Sequence, residues 1–150
     1  MKFKYLFFSF ITLFTFTGAS FLFQNSPADA NTQSISENTK IIVYYFHGNM
    51  RCKSCKTIEN YTKEAVKTKY QDEIKKGLVE IRTVNVEKSG NSHFIKDYQL
   101  VSRSVVVSKF EMGEEKEWKR LDKVWSLLKN ESKFFEYIQT NIESLLKGNS

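Results

Sequence analysis

The chain has two cysteines, Cys52 and Cys55, three apart in FHGNMRCKSCKTIEN (46–60). Two thiols at that spacing can form a reversible dithiol–disulfide couple, part of a metal site, or a structural bond. A bond closing so short a loop removes little chain entropy. Small domains that depend on disulfides also tend to carry several pairs. The metal case requires more ligands. His47 completes H-x4-C-x2-C with Cys52 and Cys55, and an imidazole with two thiolates suits Cu(I). Zinc would want a fourth ligand, which the sequence does not supply nearby, and no methionine cluster supports copper handling. His47 otherwise reads as a loop histidine close enough to adjust a thiolate. A redox couple is the leading reading. The alternative is a binding or accessory protein with an inert disulfide or a Cu(I) site at His47, Cys52 and Cys55.

The elements around the pair favour the couple. Residues 41–46 (IIVYYF) are β-branched or aromatic throughout, as in a strand covered on both faces. After a loop, Cys55, Ile58, Thr62, Ala65, Val66 and Tyr70 form a helical stripe, with lysines and glutamates opposite. Cys52 then stands where that helix begins, and its sulfur meets free amide groups and the positive end of the helix dipole. Arg51, Lys53 and Lys56 add positive charge. Each of these influences favours thiolate over thiol at Cys52. Cys55, one turn in and on the side of Ile58, is expected to be sheltered. An exposed nucleophile beside a buried resolving thiol is what disulfide exchange requires. Glu59 reads most simply as an exposed i,i+4 partner of Lys63, with proton relay as the other option.

The remaining elements complete one domain. Residues 78–86 (LVEIRTVNV) alternate as a strand. Ser92 can cap a short helix to about Tyr98. Residues 104–110 (SVVVSKF) form a third strand, a glycine turn spans 111–114, and 116–120 return as a fourth. Asp122 can cap a turn holding Val124 and Trp125. Phe134, Phe135, Ile138, Ile142, Leu145 and Leu146 mark a closing helix. The order β-α-β-α-β-β-α predicts an α/β fold: a four-stranded mixed sheet flanked by helices, with its first two strands parallel. Trp118 and Trp125 read as core or rim aromatics, and His93 as a helix-start residue without chemistry.

The chain opens with a positive segment, a hydrophobic run at 5–23 and Ala28-Asp29-Ala30, the order of a secretory signal peptide. Residues 1–30 are therefore expected to be a leader and 31–39 a flexible lead-in, with the folded domain at 40–150. An uncleaved leader would anchor the protein, since the run is long enough to span a bilayer. The membrane is expected to matter only through that leader. The product is expected outside the cytosol, periplasmic or extracellular, where thiols oxidise. The leader takes 8 of the 13 phenylalanines and lowers the formal charge from +6 to +5. What remains mixes both signs without a basic-aromatic motif, so no nucleic-acid partner is expected.

A C-x-x-C that follows a strand and opens a helix resembles the thioredoxin-like superfamily. The tyrosine-rich strand, His47, the Arg-Cys-Lys-Ser-Cys centre and SVVVSKFEMGEEKEWKRLDKVWSLL resemble, more specifically, small exported proteins labelled ArsF-like or nitrophenyl-compound nitroreductase subunit. The resemblance implies the thioredoxin-like fold and a thiol–disulfide oxidoreductase with Cys52 as nucleophile and Cys55 as resolving thiol. Nothing in the residues suggests a flavin site or a nitroaromatic pocket, so no cofactor and no nitroreductase activity are expected. The oxidoreductase's partner would be a protein thiol or disulfide, or a membrane electron donor. Arg51 stands where thioredoxins carry an aromatic residue before the first cysteine. The segment facing the dithiol corresponds to Arg103, Ser104 and Val105 and lacks the usual proline; the chain's one proline is Pro27. The acid that thioredoxins bury on the first of these strands has no counterpart in IIVYYF. His47, Arg51, Lys53, Ser104 and Val105 are thus the auxiliary candidates beside the dithiol.

Overall fold

The computed structural model describes residues 38–147; the expected leader (1–30) and residues 31–37 of the lead-in lie outside them. Strand β1 (Thr39–His47) is buried on both faces from 41 to 46, which explains its unbroken apolar sequence. It pairs in parallel with β2 (Val79–Asn85) and antiparallel with β3 (Ser104–Glu111). Strand β4 (Glu114–Arg120) joins the far edge of β3, giving the order β2-β1-β3-β4.

Alternation along β1 divides its side chains between two cores. Ile41, Val43 and Tyr45 face helices α1 (Lys53–Lys75) and α3 (Glu131–Lys147), meeting Ile58, Ala65, Val66, Phe134, Ile138 and Ile142. Ile42, Tyr44 and Phe46 face the other way, toward Tyr98, Val106 and the partly buried Phe94 and Trp118. Phe94 lies on α2 (His93–Asp97), a helix of five residues that covers this second core with aromatic rings. The sheet thus has two long helices on one face and a short one on the other. This is the thioredoxin-like α/β fold, in the expected order β-α-β-α-β-β-α.

Local details differ from expectation. Ser92 precedes α2 with helical backbone angles and makes no side-chain cap bond. The Asp122 carboxylate is drawn to Arg120 at 2.6 Å, and Leu121 occupies the cap position of the 3-10 turn at Asp122–Val124. The β3–β4 turn tightens to Met112-Gly113, both with positive φ (54° and 84°). Two such residues match the right-handed twist of a hairpin, so β4 starts at Glu114 rather than 116. β1 starts at Thr39, and the Met112 amide donates to the Asn38 carbonyl at 3.0 Å.

Candidate functional site: the dithiol at the start of α1

Cys52 and Cys55 are joined as a disulfide, with Cα atoms 5.1 Å apart. Cys52 is the N-cap of α1, in extended conformation, and its Sγ accepts the Cys55 amide at 3.1 Å. Its carbonyl accepts the Lys56 amide, the first bond of the helix. The first turn contains no acid. A negative sulfur at Cys52 would therefore meet both a directed N–H and the helix's positive end. Cys52 is exposed, whereas Cys55 is 2 % exposed. The Tyr45 hydroxyl donates to the Cys55 carbonyl at 2.7 Å, which fixes the first turn to β1.

The expected auxiliary residues divide into groups. Lys53 and Lys56 are exposed on the first turn, without an ion pair among the described residues. Arg51 has an ion-pair partner. Its guanidinium pairs with Glu59 and lies 6.0 Å from the centre of the Tyr45 ring, beneath the helix. Burial raises the Tyr45 phenol above its ordinary value, and the positive charge of Arg51 opposes that shift. His47 ends β1 with its ring stacked near Tyr45 at 5.9 Å and its Nδ1 donating to the Gly48 carbonyl at 2.8 Å. Among the described residues no three His, Cys, Asp or Glu side chains group as a metal site would need.

Ser104 is buried and its hydroxyl donates to the Ser102 carbonyl at 2.9 Å. Val105 is fully buried in the core with Tyr45 and Ile58. Neither side chain offers surface to an incoming disulfide, because β3 has already begun at Ser104 and Val105 takes its inward position. Arg103 links this segment to its surroundings. It donates to the Met50 carbonyl at 3.0 Å, tying the segment to the loop before Cys52, and its own carbonyl accepts the Trp125 indole N–H at 3.0 Å. Beside it a cleft of about 180 Å³ is lined by His47, Gly48, Glu87, Leu100, Val101 and Arg103. Met50 and Val101 are exposed apolar side chains on this end of the sheet.

Glu59 is a residue the sequence reading misplaced. It is 9 % exposed rather than solvated. Arg51 pairs with one carboxylate oxygen, Lys63 with the other at 2.6 Å, and the Thr83 hydroxyl donates at 3.4 Å. The chain thus buries a carboxylate one turn past Cys55, from the helix instead of from β1. The Lys63 spacing is visible in sequence. The neighbours that bury Glu59, Arg51 from the loop and Thr83 from β2, converge only in the fold.

No protein-family model matches the chain, and no curated protein is significantly similar to it in sequence. Among solved structures it is similar to thioredoxin O2 from Arabidopsis thaliana in the oxidised state, at 23% identity over 64% of this chain and 76% of that one, with a TM-score of 0.38. It is also similar to Fasciola hepatica thioredoxin, at 20% identity over 69% of this chain and 83% of that one, with a TM-score of 0.41.

Proposed function

We propose that the protein is an exported thiol–disulfide oxidoreductase acting through Cys52 and Cys55. The observation that carries this reading is the asymmetry of the pair: Cys52 exposed at a helix cap with an amide on its sulfur, Cys55 buried. In the reduced protein the Cys52 thiolate attacks one sulfur of a substrate disulfide. A mixed disulfide forms, and the other substrate sulfur leaves as a thiolate that takes up a proton. Cys55 then loses its proton and its sulfur attacks Cys52 Sγ, expelling the second substrate thiolate. The substrate gains two electrons and the protein ends as the Cys52–Cys55 disulfide. Run backwards, the same steps oxidise a dithiol.

Substrates on this reading are protein or small-molecule disulfides, and the partner that resets the couple is another protein thiol or a membrane electron donor. Export rests on the leader-like sequence at 1–30. The resemblance of 104–128 to the ArsF-like family supports placing the chain with those small exported proteins. Among the described residues no helix is long and apolar enough to cross a membrane.

Alkylation of the reduced protein near neutral pH tests the assignment. Cys52 is expected to react at least tenfold faster than Cys55, and Cys55→Ser to retain partners as mixed disulfides because the resolving sulfur is gone. Equal alkylation rates with no trapped species would support the inert-disulfide reading instead.

A further inference from the structure

Arg51 immediately precedes the nucleophilic position, yet its charge is paired with Glu59, seven residues and about two helical turns beyond Cys52. The guanidinium turns beneath α1 to the Glu59 carboxylate and lies near the Tyr45 ring. Glu59 is held in turn by Lys63 on the same helix and by Thr83 on β2. The groups facing this carboxylate are thus Arg51 from the loop, Lys63 from α1 and Thr83 from β2. Cys52 is left with the helix end and the exposed Lys53 and Lys56.

We propose that Glu59 is a positioning residue that sets the reactivity of Cys52 by holding the Arg51 guanidinium away from its sulfur. This rests on the dithiol reading above. A side chain adjacent to Cys52 has two acceptors within its reach, a buried carboxylate and, in the reduced protein, a thiolate. With Glu59 in place the carboxylate holds it, because that site is largely screened from water and puts the opposite charge in contact with the guanidinium. Without the carboxylate, the cation has lost its buried partner, and leaving it there unpaired is costly. It swings outward, where the thiolate is the nearest anion. An added positive charge within a few ångströms favours the ionised sulfur. The couple then becomes more oxidising, since stabilising the thiolate stabilises the reduced state.

Glu59→Gln removes the charge and keeps the shape. The pH profile of Cys52 alkylation in the full chain is expected to move to lower pH. At a pH below the wild-type midpoint the rate should rise roughly threefold to tenfold, and an equal change in the equilibrium constant with glutathione corresponds to about 15–30 mV. In an Arg51→Gln background the same substitution should have less than half that effect. Glu59→Asp keeps the charge and should retain the wild-type profile. An undiminished shift without Arg51 would mean that Glu59 acts only through its own field, and would overturn the proposal. So would an unchanged profile in Glu59→Gln, or a Glu59→Asp profile like that of the glutamine variant. A change in melting temperature alone, with profile and potential fixed, would leave Glu59 a structural residue and equally overturn it. These outcomes all presuppose a wild-type Cys52 that titrates and reacts ahead of Cys55. If it does not, the dithiol reading falls and this inference with it.

Discussion

At the scale of single residues, the charge that reaches Cys52 differs from the one its neighbours in sequence suggest. Three cations flank the motif, but Arg51 is paired below the helix, so the thiolate is favoured by the cap amide, the helix dipole and two exposed lysines. These still act in one direction. The couple is expected to lie above the thioredoxin value of about −270 mV, as measured by equilibration with glutathione and trapping of free thiols. Exposed charges of this kind contribute roughly 0.3–1 kcal/mol at low salt, and about 1.4 kcal/mol corresponds to 30 mV. Replacing Lys53 and Lys56 together by Gln should therefore lower the potential by roughly 10–40 mV, and by less in high salt. A potential well below thioredoxin's would mean that burial of Cys55 outweighs the helix end and that the pair is a reductant or a stable bond. The cysteines and their asymmetry were legible because spacing alone sets them on a helix. The destination of Arg51 was not, because the acid that attracts it had an equally good local partner in Lys63.

At the scale of elements, periodicity identified every strand and the two long helices, while caps and edges escaped it. The stripe on α1 is strong because Ile58, Thr62, Ala65 and Val66 are fully buried on one side. The cap on α2 failed because a helix of five residues is positioned by Phe94 and Tyr98 packing on β1, which leaves Ser92 no geometry to enforce. Edge strands also draw on contacts invisible to a local reading. Glu80 on β2 bonds Arg82 of its own strand at 2.5 Å and Lys40 of β1 at 2.6 Å. Those hydrogen bonds to Arg82 and Lys40 lower its carboxyl from 4.5 to about 2. A carboxylate depressed in the folded state adds stability that is fully present above pH 4.5 and is lost as pH falls toward 2. Glu80→Gln should accordingly lower the urea midpoint at pH 6 by an amount equivalent to a few tenths of a kcal/mol, the scale of a solvent-screened pair. The gap between wild type and variant should close as pH approaches 2. A gap of constant size across that range would assign the loss to packing instead of charge.

At the scale of the whole molecule, the dithiol and the start of the domain lie at opposite ends of β1. The chain enters the sheet at Thr39, beside the β3–β4 turn, and reaches the site only after His47. Nine residues of strand separate the two ends, roughly 25–30 Å at the usual rise per residue. Residues preceding Thr39 are thus joined to the domain far from Cys52. Whether residues 1–30 are a leader, and whether it is removed, has to be judged by their sequence. Its short positive start, apolar run and Ala28-Asp29-Ala30 favour processing after Ala30. A mature chain starting at Asn31 would retain residues 31–38 ahead of β1, and oxidation outside the cytosol would then be the resting condition of the pair. Mass spectrometry of the protein from its native host should find Asn31 as the N-terminus in the soluble exported fraction. Recovery of chains that still begin at Met1, confined to the membrane fraction, would instead make the leader an anchor, with the dithiol held on a tether at the membrane surface.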